Sequence, residues 1–204
     1  MKKFMITILT LVPLTIWAQD NTWERPDVEE EKEVKQNQVV AKYLRGAVPL
    51  VDGKVVFSKT IDAPGKSASE VFGIVRGYLE KMTREKNQED SHIVIDDSEK
   101  HQVAGSYEEW LVFKSSAIYL DQTRFYYVLL AKCFDGKAEV TMSRLRYLYD
   151  EYRKPQNIRA EDCITDDESV NKKNTRLYPN TGKFRRKTID RKDFIFNKLE
   201  TLLK

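Results

Sequence analysis

The sequence predicts an α+β fold: an antiparallel sheet of about five strands, packed on one face by a helix near 68–85. A second helix near 189–203 closes the chain. Two observations carry this expectation. Asp135-Gly136 joins two long apolar runs, and an Asp-Gly pair in that setting signals a hairpin, because a type I′ turn needs positive φ at both positions. In DAPGKSASEVFGIVRGYLEKMTREK, Val71, Phe72, Val75, Tyr78, Leu79 and Met82 recur at helical spacing, and such a stripe needs a sheet or helix to cover it.

The chain opens MKKFMITILTLVPLTIWAQD. Lys2 and Lys3 precede an uncharged apolar run from Phe4 to Trp17, and Ala18 offers a small residue before Gln19. This is the layout of a secretory signal peptide, residues 1–18. A membrane anchor fits less well, since the 14-residue run falls short of a spanning helix, which takes roughly 20 residues. No later run is long enough to span, so no membrane span is expected after cleavage, and the mature protein is expected to be periplasmic or secreted. Residues 19–42 are polar and acidic and read as a flexible leader.

The remainder, 43–204, reads as one domain. KVVFSKT at 54–60 is strand-like. Ser67 and Glu70 have capping-box spacing at the start of the first helix. Strand-like segments follow at 92–96, 102–114, 123–134 and 137–149. A polar connector covers 150–187. In the tail, Ile195, Phe196, Leu199, Leu202 and Leu203 form the stripe of the closing helix.

The Asp135-Gly136 turn sets a register. Phe134 faces Lys137, Lys132 faces Glu139, Ala131 faces Val140 and Leu129 faces Met142. One face then carries Phe125, Tyr127, Leu129, Ala131, Cys133, Ala138, Val140 and Met142 against the helix. The other carries Tyr126, Val128, Leu130, Leu145 and Tyr147 among Arg124, Lys132, Glu139, Thr141 and Ser143. That second face is half apolar, and soluble monomers seldom leave large apolar patches bare. The leader, the connector, a partner chain or a ligand are the candidates to cover it.

The same register carries Arg144 and Arg146 onto the core face, where each guanidinium must reach the sheet edge or pair with a carboxylate. An internal salt bridge is the commoner use of such an arginine. The functional alternative is an anionic ligand held by bidentate contacts at the open end of the sheet. Arg124, Tyr126, Arg144, Arg146 and Tyr147 are therefore the candidate ligand- or partner-binding residues.

Catalytic and metal signatures do not emerge. His92 and His101, the two histidines, sit at opposite ends of a short hairpin. No Cys/His cluster has zinc spacing. Glu108 and Glu109 are adjacent on a strand and point to opposite faces, so they cannot work as an acid–base pair. No catalytic residue, metal ligand or cofactor is assigned. Cys133 and Cys163 are the only cysteines. Export permits a bridge between them, but a buried free thiol suits Cys133 in its apolar strand.

Residues 171–193, NKKNTRLYPNTGKFRRKTIDRKD, hold nine basic and two acidic residues. The block before it, 151–170, holds six acids and three bases. Removing Lys2 and Lys3 from 35 basic and 32 acidic residues leaves 33 against 32, a net charge of +1. A nucleic-acid binder shows a clearly basic domain, so no nucleic-acid partner is expected. The run reads as a docked crossover, with Lys183, Phe184, Arg185 and Arg186 as a basic surface patch for an acidic component of the envelope.

YLRGAVPLVDGKVVFSKTIDAPGKSASEVF, YEEWLVF, CFDGKAEVTMSRLRYLYDE and AEDCITDDESVNKKNTRLYPNTGKFRRKTID, in that order, resemble domain-of-unknown-function family 4468. Its members look like secreted bacterial proteins with a fold like the TATA-box-binding protein. The resemblance runs from about Tyr43 to Lys204. It implies a TBP-like fold and carries no assigned activity or catalytic residues. The functional expectation is an exported, non-enzymatic binding or adaptor module for a small amphipathic ligand, a glycan or a partner protein. An enzyme with an unrecognised site and polyanion binding through 172–192 are the alternatives.

Overall fold

The computed structural model describes residues 41–116 and 118–204. The signal-peptide and leader readings lie outside them, apart from the leader's last two residues. The order is a short hairpin, β1 (Leu50–Val51) and β2 (Lys54–Val55), then β3 (Phe57–Asp62), α1 (Ala68–Met82) and β4 (His92–Asp97). The long strands β5 (Gln102–Ser116), β6 (Tyr119–Phe134) and β7 (Lys137–Tyr149) follow, then β8 (Gln156–Arg159), the one-turn α2 (Asp166–Ser169) and α3 (Pro179–Leu203). The main sheet has six antiparallel strands, in the order β3-β7-β6-β5-β4, with β8 also on β7. β3 and β8 share one edge: β3 pairs with residues 137–142 of β7, and β8 with 146–149.

The first helix forms as its sequence predicts. The Ser67 hydroxyl accepts from the Glu70 N–H, and the Ser67 N–H donates to Glu70 Oε2 at 2.8 Å. This reciprocal bond satisfies donors that a helix start otherwise leaves open. The six apolar residues of the stripe are all buried. Both α1 and α3 cover one face of the sheet, where Tyr107 donates to the Leu79 carbonyl of α1 and Tyr147 bonds Thr188 of α3. Phe125, Tyr127 and Tyr147 stack along this face with ring centroids about 5 Å apart.

The β6–β7 register agrees at all four expected pairs. The turn differs: Gly136 takes positive φ, 74°, and Asp135 does not, so it is not type I′. The loop before α1 holds it instead. Asp135 Oδ1 accepts from the Ala68 N–H, and the Gly136 N–H donates to the Lys66 carbonyl.

Beyond Met142 the register expectation fails. Val128 faces Ser143, but Tyr126 faces Arg146, so β7 carries one extra residue. Arg144 absorbs it with φ of 58°. A bulge of this kind reverses the in–out alternation of everything after it. Leu145 and Tyr147, expected on the open face, are buried in the core, and Arg144 and Arg146, expected on the core face, are exposed.

The closing helix begins at Pro179, about ten residues before the expected start. Pro179 sits in the first turn, where its missing N–H costs nothing. Asn180–Gly182, part of the expected connector, is helical. A Cβ on Gly182 would lie 2.6 Å from Leu177 Cβ, so close packing accounts for that glycine.

Candidate functional site

The open face of the sheet is the candidate site. Among the described residues both helices lie on the opposite face. Alternation places Ser106, Glu108 and Trp110 of β5, Arg124, Tyr126, Val128 and Leu130 of β6, and Thr141 and Ser143 of β7 on this side, all partly exposed. The bulge adds Arg146.

These residues hold one another in place. The Arg124 guanidinium sits 4.9 Å from the Trp110 ring centroid. It donates to Glu108 and, through Nε, to Glu151 Oε2 at 2.8 Å. Burial alone would weaken its charge, but the two carboxylates outweigh that and raise its pKa. Tyr126 donates to Glu108 Oε1 at 3.1 Å, and partial burial together with Glu108 raises its phenol pKa. Trp110 Nε1 donates to Glu89 at 2.6 Å. Arg146 lies flat on Tyr126, 3.6 Å from the ring centroid. Such stacked contacts contribute about 0.5–2 kcal/mol each. The result is a ladder of aromatic and charged groups, Trp110–Arg124–Tyr126–Arg146, fixed across three strands.

At the end of the ladder, Arg144 and Arg146 line a cavity of about 580 Å³ with Lys54, Arg159, Asp52 and Glu161. It opens where β3 stops and β8 begins along β7, beside the β1–β2 hairpin. Of the five candidate binding residues, the structure brings Arg124, Tyr126, Arg144 and Arg146 to this side. Tyr147 is excluded: it is buried and bonded to Thr188. Trp110, Glu108 and Arg159 complete the constellation and were not singled out by sequence.

A readable signal for the bulge existed. Apolar residues of β7 fall at 138, 140 and 142, then at 145 and 147, before the mixed end Leu148-Tyr149. That switch from even to odd marks one inserted residue.

The expected basic surface patch does not form. Phe184 and Arg185 are buried. The Arg185 fork donates to the carbonyls of Tyr43, Leu44 and Ile164 at 2.6–2.7 Å, and to Asp166. Lys183 donates to Asp121 and Tyr149 at 2.8 Å and faces the rings of Phe113, Tyr149 and Phe184. Arg186 alone of the four is exposed. The stripe of the closing helix, extended backwards, lands on Arg191, Thr188, Arg185 and Phe184, so position predicts the burial of all four, although residue type predicts it only for Phe184.

His92 is exposed and His101 lies in the β4–β5 turn near Phe72. Neither lines the cavity. Cys133 and Cys163 are free, buried thiols, and burial pushes their pKa values up to about 11 and about 12.

The model of a domain of unknown function with TBP-like fold, DUF4468, matches residues 57–148. A crystal structure of a DUF4468 family protein from Bacteroides ovatus ATCC 8483 is similar to this chain with a TM-score of 0.74 and 38% identity. The match covers 79% of this chain and 93% of that one. The chain belongs to the DUF4468 family. A TBP-like protein from Parabacteroides distasonis ATCC 8503 shares the fold, with a TM-score of 0.63 at 21% identity, over 76% of this chain and 96% of that one. No curated protein matches the chain. In this DUF4468 domain the family match runs from β3 to near the end of β7. It therefore contains the bulge and the whole ladder, and stops before β8 and α3.

Proposed function

We propose that this DUF4468 domain is a non-enzymatic binding module of the cell envelope, which receives a small amphipathic ligand, a glycan or a partner on the open face of its sheet. One observation carries the reading. The open face presents Trp110, Tyr126, Arg124 and Arg146 in a self-supporting ladder that no described element covers. Aromatic side chains and arginine are the groups that dominate recognition surfaces, because they bring large contact area with directional polar edges. Holding them rigid before binding lowers the entropy lost on association. Export rests on the first 18 residues, and no helix among the described residues is long and apolar enough to cross a membrane.

The test uses the mature chain from Gln19 with Trp23→Phe, so that Trp110 is the single tryptophan. Titration with oligosaccharides, alkyl carboxylates and peptides should give, for one class, a saturable change in Trp110 emission and a rise in Tm. Tyr126→Ala should weaken that binding. No response to any class, or binding indifferent to Tyr126→Ala, overturns the reading. Export is checked by the mass of the chain recovered from its native cell: a product beginning at Gln19 supports it, and an unprocessed cytoplasmic chain refutes it.

A further inference from the structure

Resting on the binding-module reading, the geometry points to the cavity at the Arg144 bulge as a site for an amphipathic monoanion. Its carboxylate head would be held by Arg144 and Arg146, and its apolar body by Val51, Val56 and Leu145.

Four observations converge. Arg144 occupies the left-handed region at φ 58°, where a side chain is disfavoured and glycine or asparagine would sit more easily. Strain of this kind is held where the surrounding structure has a use for the side chain it carries. Second, Arg144 and Arg146 have no carboxylate partner among the described residues, whereas Arg45, Arg76, Arg84, Arg124, Arg159, Arg185 and Arg191 each have one; Arg153, Arg176 and Arg186 also lack one but do not line the cavity. Arg146 is fixed by its face on Tyr126, which leaves its N–H edge to donate elsewhere.

Third, the acids around the cavity are mostly committed. Glu161 accepts the Val55 N–H at 2.9 Å, and Asp162 takes the fork of Arg159 at 2.7 and 2.8 Å. Arg144, Arg146 and Lys54 therefore face Asp52 and Glu161, an excess of one positive charge. Fourth, the cavity is apolar beneath those cations: Val56 and Leu145 line it, and Val51 stands 53% exposed at the edge strand β1. A volume of about 580 Å³ lies in the usual range for a small organic ligand, roughly 300–1,000 Å³. A planar guanidinium matches a carboxylate with two parallel N–H···O bonds, and such charge-assisted pairs are roughly twice as strong as neutral ones. One anionic head and one apolar body is the ligand this arrangement fits.

The test is calorimetric titration of the mature chain with sodium dodecanoate below its micelle concentration, beside dodecanol, dodecyl phosphate and inorganic phosphate. Dodecanoate should bind saturably at one site, with dodecanol and inorganic phosphate at least tenfold weaker. Arg144→Gln and Arg146→Gln should each weaken dodecanoate at least tenfold, with Tm held within a few degrees. Arg84→Gln, an exposed residue just beyond the end of α1 and outside the cavity lining, should leave dodecanoate affinity unchanged. Inorganic phosphate equal to dodecanoate overturns the apolar half of the site, and dodecanol equal to dodecanoate overturns the anionic half. Dodecyl phosphate binding at least tenfold tighter than dodecanoate overturns the carboxylate head. Dodecanoate binding lost in Trp110→Ala but kept in Arg144→Gln moves the ligand to the open face. That result sinks the cavity while the module reading stands. Absence of dodecanoate binding, with Trp110 still responding to another ligand class, has the same meaning.

Discussion

Two pairs of arginines in this domain live opposite lives. Arg185 and Arg191 project from α3 into the core, where both are fully buried. Arg144 and Arg146 project from β7 at the bulge, where both are exposed. The buried pair is surrounded by acceptors. Arg191 makes a fork to both oxygens of buried Glu109 at 2.8 and 2.6 Å and reaches Glu85 at 3.0 Å. Burial opposes its charge, and Glu109 beside it more than restores it, so its pKa is raised. The exposed pair has water and a cavity. An arginine whose donors are consumed inside the chain is part of the architecture, and one whose donors are left over is available to something else.

That contrast can be broken, and the largest expected effect lies at Arg191. Arg191→Met leaves Glu109 buried without its cation, and the loss should be about 3–5 kcal/mol, read from urea unfolding. Arg144→Met on the same assay should change stability by less than about 0.5 kcal/mol, as surface changes do. The double variant Glu109→Met/Arg191→Met should recover more than half of the loss, since removing both charges removes the uncompensated one. A double variant no better than the single would mean that the pair does not act as a unit.

Arg185 comes next. Arg185→Met strands three carbonyls that share its fork, and about 3 kcal/mol should be lost. Arg185→Lys should recover less than half of it in the same measurement, because an ammonium cannot reproduce the planar fork. At the bulge the sign reverses. Arg144→Gly relieves the left-handed backbone and should raise stability by about 1 kcal/mol. A loss instead would show that Arg144 makes a stabilising contact and would weaken the view that its donors are spare.

The smallest effect separates surface pairing from buried pairing. Lys59 and Lys204 flank Glu200 on α3 and hold its carboxyl down from 4.5 to about 2. A depressed carboxyl contributes stability that is complete above its unfolded pKa and lost as pH falls through the folded one. Tm profiles of wild type and Glu200→Gln should therefore differ by a constant amount above about pH 4.5 and converge towards pH 2. Profiles that stay parallel down to pH 2 would show that Glu200 contributes nothing through its charge.

Much of this molecule was legible in the chain, and particular residues say why. The α1 stripe and its Ser67–Glu70 box are local patterns with one reading each, and the β6–β7 register follows from a two-residue loop whatever the turn type. Arg185 was misread as surface because residue type was weighed above helical position, and Phe184 was assigned to the same patch. Buried arginine is rare unless a partner exists, and the partners Glu109, Asp166 and three carbonyls come from segments 19 to 142 residues away. The candidate site was legible by residue and not by geometry. Arg144 and Arg146 were singled out for a reason that the bulge inverted, and Tyr147 was lost to the core by the same inversion.

The sequence alone determined the α+β class, five of the six strands of the main sheet, the first helix, and the side of β6 that meets the core. Those follow from periodicities of two and 3.6 residues, which chain geometry imposes locally. Tertiary structure alone decided which charges are silent. Whether a guanidinium is spent or spare depends on acceptors that folding brings from distant segments, and on one extra residue in β7 that turns Arg144 and Arg146 outward.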